Sequence, residues 1–248
     1  MPPAPDACNV RAILLDIEGT TTPLDFVFKT LFPYASEHVE EFLREGSSDA
    51  ETETLIGELR STWSGAAASG APVWIESTAK EKLASATAYV RWLMDRDSKI
   101  TPLKTLQGKI WERGFRTGAL EGQVYPDVAR GFARWRGQGR RIAIFSSGSV
   151  LAQKLLFAHS TAGDLSSYLE AYFDTATGPK RDSDSYKKIA AVFELPPRQV
   201  LFVSDVPAEL DAARSAHMHT AHSLRPGVQE PESQSHPVIR SLDEVFPN

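Results

Sequence analysis

Short apolar runs, separated by segments with helical spacing, constrain the fold of this chain more than any other feature of its sequence. The runs are VRAILL at 10–15, RIAIF at 141–145, AYFD at 171–174, VLFV at 200–203 and the weaker MHTA at 218–221. Parallel strands that are covered on both faces have this continuous apolar character. Helical spacing follows Ser149, Asp184 and Asp205. The alternation therefore predicts an α/β fold with a doubly wound parallel sheet.

A long segment of different character separates the first two runs. Four stretches within it have helical spacing, carried by Val39/Phe42/Leu43, Leu55/Ile56/Leu59/Trp63, Leu83/Ala86/Val90/Leu93 and Leu103/Leu106/Ile110/Trp111. We expect residues 23–122 to form an inserted helical cap domain, and residues 1–22 and 123–248 to form the α/β core. Pro126 predicts the first turn of a helix where the chain returns to the core. The alternative is a single domain with a long helical excursion.

Composition narrows the class of protein. The chain has 248 residues, a single cysteine and a net charge of −5. The charge argues against a nucleic-acid partner, and no stretch reaches the roughly 18 apolar residues that cross a membrane. The N-terminus lacks the basic and apolar regions of a secretory signal, and the single Cys8 excludes an internal disulfide. We therefore expect a cytoplasmic protein with neither a nucleic-acid nor a membrane partner.

Two polar stretches are expected to face solvent. The arginine-rich run from Arg134 to Arg141 is expected to form the solvated face of a helix. The stretch RPGVQEPESQSHPV at 225–238 is expected to form a surface loop that leads to a last strand or helix around Ile239–Phe246.

Polar side chains follow the predicted strands. They are Asp16 and Glu18 after the first strand, Ser146 and Ser147 after the second, Asp205 after VLFV, and Lys180 in the loop before a predicted helix. In open α/β sheets the ligand binds beyond the carboxyl ends of the strands, so we expect these side chains to meet there. Each one alone has a plainer interpretation, as a helix cap, a loop or a solvated lysine. Their combination and order carry the prediction.

This set of side chains has the chemistry of phosphoryl transfer. A carboxylate can attack phosphorus and form an aspartyl-phosphate. Two anions must then approach each other, so a divalent cation is needed, and Asp16 and Asp205 offer the hard oxygen ligands that suit Mg²⁺. Ser146 and Ser147 can donate to phosphate oxygens, and Lys180 can balance their charge. Because the whole chain is acidic, a site for an anionic substrate must be locally positive.

Several motifs resemble those of known enzymes. An acidic first motif, a hydroxyl after the second strand, a lysine and a late acid resemble the haloacid dehalogenase superfamily. More narrowly, the chain resembles the enolase-phosphatase family of methionine salvage, on the motifs DIEGTTTP at 16–23, SSGSVLAQKLLF at 146–157, FAHSTAGDL at 157–165 and SDSYKKIA at 183–190. The resemblance implies a Rossmann-like, haloacid dehalogenase-type core with an inserted cap.

The resemblance also implies a role for each candidate residue. Asp16 corresponds to the nucleophile and a ligand of one Mg²⁺ per subunit. Glu18 corresponds to the second catalytic acid near the metal, and Asp205 to a further metal ligand. The residues that correspond to the phosphate-binding group are Ser146, Ser147 and Lys180, of which the lysine also takes part in catalysis.

One position departs from the wider superfamily. The late strand gives S-D-V-P where a pair of adjacent acids is usual. Glu209, four residues after Asp205, either supplies the missing acid or simply lies on a helix.

The activity implied by the resemblance has two steps. The substrate of the family is 2,3-diketo-5-methylthiopentyl-1-phosphate, a small phosphate ester, which is enolised and then dephosphorylated to an acireductone. The residue that removes the carbon-bound proton is left open among Glu18, His38 and His159. We expect a monomer in the cytoplasm, and also in the nucleus if the source is eukaryotic.

Three other classes of protein use part of this set of residues. One is another cap-bearing phosphatase that acts on a small sugar phosphate. A second, from a different class, is a receiver-type signalling domain, although there the acceptor aspartate ends the third strand. A third is a non-catalytic descendant that only binds phosphate.

Overall fold

The computed structural model describes residues 9–66, 70–228 and 235–247. Three sequence-based expectations fall partly or wholly outside these ranges: Cys8, the first residues of the α/β core, and residues 229–234 of the expected surface loop. The chain divides into two compact units, one of Met1–Phe26 with Glu121–Asn248 and the other of Val27–Leu120.

The first unit contains a parallel sheet. Within the described residues its strands are, in chain order, β1 (Ala12–Leu15), β2 (Arg141–Phe145), β3 (Ala171–Phe173), β4 (Val200–Ser204), β5 (His219–Ser223) and β6 (Val238–Ile239). All neighbouring pairs are parallel, and the strand order is β3-β2-β1-β4-β5-β6. Each of the five predicted runs coincides with or overlaps a strand. The chain winds outward from β1 in both directions, which makes the fold doubly wound and Rossmann-like.

Helices separate the strands and build the second unit. Among the described residues the α-helices are, in chain order, α1 (Leu24–Phe26), α2 (Phe32–Glu45), α3 (Ala50–Ala66), α4 (Ala79–Met94), α5 (Thr101–Thr117), α6 (Pro126–Gly137), α7 (Val150–Ala158), α8 (Ser183–Val192) and α9 (Pro207–Ser215). A π-helical turn, Val27–Leu31, follows α1, and a 3₁₀ turn, Leu242–Glu244, follows β6. Along the described ranges, no helix combines the length and apolar character needed to cross a membrane.

The strand register aligns the ends of β1 and β4. Leu15 is paired with Ile144 on one side and with Val203 on the other. The next residue, Asp16, donates its N–H to Val203 O at 3.0 Å and so continues the ladder one step beyond the strand. Asp16 therefore lies next to Ser204, in the middle of the sheet where the winding direction reverses and where α/β proteins bind their ligands.

Apolar side chains bury the sheet. Phe202 of β4 packs against Tyr186 of α8 with ring centres 5.0 Å apart, and Tyr186 packs against Phe145 of β2 at 5.6 Å. Phe132 of α6 packs against Phe157 of α7 at 6.0 Å. Strands β1 and β4 are buried along their whole length, which explains why they have no polar alternation in the sequence.

The second unit has an apolar core of its own. Its helices are α2 to α5, which contain the four segments that the helical spacing predicted. Val39, Leu59, Val90 and Leu106, one from each helix, are fully buried. Trp111 Nε1 donates to the backbone oxygen of the π-helical turn at Leu31, at 2.8 Å.

The run from Arg134 to Arg141 is only in part the solvated helix face that we expected, because Arg136 on α6 is exposed but its neighbours Arg134 and Arg141 are not. Helix α6 ends before Arg141, which lies in β2. The Arg134 side chain is 12% exposed, and its Nη2 donates to Leu242 O at 2.6 Å and to Val245 O at 3.2 Å. The irregular segment after β6 leaves carbonyl oxygens that need donors, and this arginine supplies them.

The polar stretch 225–238 is likewise only in part a surface loop. Arg225 and His236 are buried. A ring nitrogen of His236 lies 2.8 Å from Thr220 Oγ1, and the other lies 3.2 Å from Asp211 Oδ1. Arg225 before residues 229–234 and His236 after them are thus buried in the core. The composition of the stretch does not reveal this burial.

We expect Phe202→Ala to lower the free energy of unfolding by about 3–5 kcal/mol, because it opens a cavity between β4 and α8. Urea denaturation followed by circular dichroism measures this change. Val192→Ala on α8 is the matched control, since its side chain is 59% exposed and the change should stay within about 0.5 kcal/mol. Equal losses in the two variants would contradict the packing described.

Candidate active site

The turn after β1 holds Asp16 in a fixed orientation. Asp16 is 2% exposed, and its Oδ1 accepts the N–H of Ile17 at 2.8 Å. The N–H groups of residues 20–22 all donate to Ile17 O at 2.9–3.1 Å. The Thr21 hydroxyl donates to Asp16 O at 3.1 Å. The three successive threonines therefore close a tight turn around the backbone of the acid.

Lys180 lies between two carboxylates. Its Nζ is 2.6 Å from Asp16 Oδ1 and 2.6 Å from Glu209 Oε2. The Tyr186 hydroxyl of α8 donates to Lys180 O at 2.6 Å and holds the loop in place. Burial lowers the pKa of Lys180, but Asp16 and Glu209 outweigh burial and raise it above its ordinary value. Lys180 is therefore a buried ammonium and not a solvated surface lysine.

Glu209 completes this cluster, so the acid whose place the sequence left open lies beside Lys180. Helix α9 begins directly after β4, which puts Glu209 in its first turn. Glu209 Oε2 accepts the Ser204 hydroxyl at 3.0 Å, and the same hydroxyl is 3.3 Å from Asp16 Oδ2. Burial and then Asp16 raise the pKa of Glu209, against the lowering effect of Lys180 and Ser204.

Asp205 follows β4 and lies against the turn. Its Oδ1 is buried and has no hydrogen-bond partner among the described residues. A Cβ on Gly19 would lie 2.1 Å from Asp205 Oδ2, and the φ of Gly19 is +68°, so the close approach requires glycine. Burial, followed by the charges of Asp16 and Glu209, raises the pKa of Asp205 to about 7.

The cluster carries more negative than positive charge. Asp16, Asp205 and Glu209 face one ammonium, that of Lys180, so the side chains alone do not make the site locally positive as expected. A divalent cation would remove this surplus, and the unpartnered Asp205 Oδ1 is an oxygen that could bind it. In the described ranges no three His, Cys, Asp or Glu side chains form a metal cage. Mg²⁺ needs only one or two carboxylates because it keeps several waters, so these residues fit it.

Ser146 and Ser147 follow β2 but have different surroundings. Ser146 is buried and its Oγ accepts the Gly148 N–H at 3.1 Å, whereas Ser147 is exposed. Gln153 of α7 holds this loop, because its Nε2 donates to Gly148 O and to Phe173 O, both at 2.9 Å. The structure thus brings the serines to the strand end beside that of Asp16, and the Gly148 N–H is already used within the loop.

Glu18 and the two candidate histidines occupy three different parts of the chain. Glu18 is half-buried, and its backbone pairs with that of Thr22 within the turn. His38 belongs to the second unit, where its Nδ1 is 2.8 Å from Tyr34 O and its ring stacks on that of Tyr34 at 3.9 Å. His159 follows α7 and is exposed. These contacts use Nδ1 and one face of the His38 ring.

Several residues that support the site were not assigned from the sequence. They are Tyr186 beneath the Lys180 loop, Gln153 beneath the serine loop, Ser204 between two acids, and His222, whose Nε2–H donates to Asp205 O at 3.1 Å. The tyrosine and the glutamine lie inside the motifs at 183–190 and 146–157, so those motifs could have indicated them. No local pattern marks the histidine.

Comparisons with known proteins decide the family. Residues 10–217 match the family model of the haloacid dehalogenase-like hydrolases. Enolase-phosphatase E1 of Synechococcus elongatus is 51% identical over 96% of this chain and 98% of its own. Enolase-phosphatase E1 of Drosophila virilis is 44% identical over 94% of each chain. The chain belongs to the enolase-phosphatase E1 family. The resemblance carried by the motifs around Asp16 and Lys180 is thereby confirmed.

Solved structures share the fold of this chain. The UTR4 protein of Saccharomyces cerevisiae superposes with a TM-score of 0.78 at 32% identity, over 94% of this chain and 98% of its own. CbbY of Rhodobacter sphaeroides, solved in complex with phosphate, has a TM-score of 0.56 at 18% identity over 96% and 97% of the two chains. The second likeness concerns the fold alone. The predicted α/β fold of the haloacid dehalogenase type is confirmed.

Membership in the enolase-phosphatase E1 family also gives the class of activity. The chain is an enzyme, a phosphatase among the haloacid dehalogenase-like hydrolases. A receiver-type signalling domain is set aside on the ground of family. Its acceptor aspartate would follow the third strand, whereas Asp16 follows β1, in the middle of the sheet. A non-catalytic phosphate binder is also set aside, because the family consists of phosphatases.

We expect Gly19→Ala to lower the kcat for hydrolysis of an aryl phosphate by at least about tenfold, because the new Cβ must displace Asp205. Gly139→Ala is the matched control. Its φ of +76° gives the same backbone strain, but no heavy atom lies within 4 Å of the new Cβ. It should destabilise the fold and leave kcat unchanged. Equal kcat values for Gly19→Ala and the parent chain would contradict the close approach.

Proposed function

We propose that this chain is a bifunctional enolase-phosphatase that acts on 2,3-diketo-5-methylthiopentyl-1-phosphate. It enolises this substrate and then removes the phosphate to give the acireductone 1,2-dihydroxy-3-keto-5-methylthiopentene, in L-methionine salvage from methylthioadenosine. The observation that carries the proposal is the buried contact of Lys180 with Asp16 and Glu209 in a chain of this family.

Asp16 is the proposed nucleophile. Its carboxylate attacks phosphorus, the bond from phosphorus to the substrate oxygen breaks, and the electron pair leaves on that oxygen. Water then hydrolyses the aspartyl-phosphate, which frees phosphate and restores the carboxylate. The Ile17 N–H at 2.8 Å and Lys180 Nζ at 2.6 Å already orient Asp16 Oδ1, so little reorganisation is needed during the reaction.

Lys180, Ser146 and Ser147 are the proposed partners of the phosphoryl group. The ammonium of Lys180 opposes the negative charge that gathers between Asp16 and the phosphoryl oxygens. Glu209 supports this role, because it raises the pKa of the lysine and fixes its direction. The serines can supply hydroxyl donors from the end of β2.

Asp16, Glu18 and Asp205 are the proposed ligands of one Mg²⁺ per subunit. When bound, the ion would offset the negative charge of the acids and the phosphoryl group, and would acidify the C–H beside a substrate carbonyl. The unpartnered Oδ1 of Asp205 and the surplus of carboxylates support this assignment.

Glu18 is the proposed general acid–base group: its carboxylate would accept the carbon-bound proton during enolisation, and its protonated form would donate a proton to the leaving oxygen. Its side chain is one methylene longer than the aspartate usual at this position of the superfamily, so it reaches further from Asp16. General acid–base catalysis of this kind contributes about 10²–10⁴-fold. His38 and His159 are the other candidates for the proton on carbon.

Residues 23–122 are the proposed cap, which would exclude water from the phosphoryl transfer. We further propose a monomer that works in the cytoplasm, and also in the nucleus if the source is eukaryotic.

Incubating the purified chain with the diketo phosphate, and following enol absorbance and free phosphate in one sample, tests the proposal. Both products should form with Mg²⁺, disappear with a chelator and return with added Mg²⁺. Ca²⁺ should restore little activity, because it prefers more ligands and a looser geometry. Phosphate release from a sugar phosphate, with no enol from the diketo compound, would instead support another cap-bearing phosphatase.

We expect Asp16→Asn to fold normally and to lose phosphate release by several orders of magnitude, because an amide does not attack phosphorus. Asp174→Asn is the control, since Asp174 follows β3 and its Oδ1 accepts a local N–H, that of Ala176. Steady-state release of phosphate measures both variants. Near-native turnover by Asp16→Asn would rule out the covalent route.

We expect Glu18→Asp to separate the two steps. Hydrolysis of a simple phosphate ester should survive in part, while formation of the enol should fall further, because the shorter side chain no longer reaches the carbon-bound proton. Single-turnover absorbance of the enol, compared with phosphate release, measures the split. A proportional loss of both would remove the special role of Glu18 and leave the phosphatase intact.

A further inference from the structure

We propose that Arg225 is a positioning residue for catalysis, whose buried guanidinium clamps the turn that carries Asp16 and Glu18. The inference rests on the proposed roles of these two acids. Arg225 lies after β5, in the polar stretch that the sequence suggested to be a surface loop, and it is only 4% exposed. Among the described residues, its side-chain hydrogen bonds run to one backbone oxygen and one carboxylate, and not to the proposed phosphate-binding serines.

The guanidinium uses three nitrogens on two partners. Nε and Nη2 of Arg225 donate to Thr20 O, at 2.8 and 2.5 Å, and Nη1 donates to Asp127 Oδ2 at 2.5 Å. Its plane lies over the Tyr125 ring, with Cζ 4.3 Å from the ring centre. The Tyr125 N–H donates to Thr21 O at 2.9 Å. One side chain thus fixes the turn after β1 to the segment that begins α6.

Asp127 makes this clamp rigid. Its Oδ2 also accepts the Ser241 hydroxyl at 3.0 Å and the Leu242 N–H at 2.6 Å. Burial raises the pKa of Asp127, but Arg225 and the other donors outweigh burial and lower it overall. The carboxylate is therefore charged, and the buried arginine has a fixed counter-charge on a helix that is itself held by the core.

Loss of the clamp should increase the motion of the turn that carries Asp16 and Glu18, without removing any group that we propose to contact phosphate. The carbonyl of Thr20 belongs to the turn in which residues 20–22 donate to Ile17 O, two residues from Glu18. A residue that holds a reactive group through the backbone affects its orientation in the transition state more than the binding of the ground state. We therefore expect kcat to fall and KM to stay nearly constant.

Arg225→Lys is the test variant, because it keeps a positive charge beside Asp127 but cannot bond two partners and stack on a ring at once. Arg134→Lys is the matched control. Arg134 is also largely buried and also donates to backbone oxygens, those of Leu242 and Val245, but it does not contact the turn. Two readouts are compared, the kcat and KM for an aryl phosphate with Mg²⁺, and hydrogen exchange of the amides of residues 17–22.

In Arg225→Lys, exchange of these amides should accelerate by at least about tenfold, and kcat should fall by about 10–100-fold with KM within about twofold. Arg134→Lys should leave both quantities at parent values. If the lysine variant does not fold, Arg225→Met is the substitute, since Asp127 keeps Ser241 and Leu242 as donors.

Unchanged exchange in residues 17–22, or unchanged kcat despite faster exchange, would overturn the proposal. Equal losses of kcat in the Arg225 and Arg134 variants would also overturn it, because they would reflect general destabilisation. A parent chain that fails to hydrolyse the aryl phosphate would count against the proposed function instead, and hydrogen exchange alone would then decide whether the clamp holds the turn.

Discussion

The structure depends on one buried ammonium placed between carboxylates at the middle of the sheet. Without Lys180, the acids Asp16, Asp205 and Glu209 would gather like charges in a buried place, where water screens them poorly. One ammonium offsets only part of that charge, and burial, followed by the charges of Asp16 and Glu209, still raises the pKa of Asp205 to about 7. This surplus of negative charge supports the proposal that the site binds a hard divalent cation.

Distant segments must meet for this cluster to exist. Asp16 and Lys180 are 164 residues apart in sequence, and only the folded sheet brings the turn after β1 and the loop after β3 together. Gly19 admits Asp205 to the turn after β1, and Arg225 ties the same turn to α6. The positions of the acidic side chains thus depend on Gly19 and Arg225, two residues to which we assign no step of the reaction.

Local patterns predicted the strands and the acids of the motifs, because a buried strand and the turn after it produce a recognisable pattern within about ten residues of sequence. Polar contacts between residues far apart in the chain produce no such local pattern. Arg134 was wrongly interpreted as solvated, and the burial of Arg225 was missed, because both arginines bond backbone oxygens more than a hundred residues away. The site was expected to be locally positive because its proposed substrate is anionic. The structure places Glu209 beside Lys180, a contact that depends on tertiary packing and that the sequence left open.

Trapping the phosphoryl position tests the central claim, that Asp16 oriented by Lys180 is the nucleophile. A crystal structure of the parent chain with Mg²⁺ and beryllofluoride, which mimics an acyl-phosphate, should show beryllium bonded to a carboxylate oxygen of Asp16. The Lys180 ammonium should contact a fluoride or remain on the same carboxylate. An adduct on Glu18, Asp205 or Glu209, or an unmodified Asp16 at saturating beryllofluoride, would contradict the account.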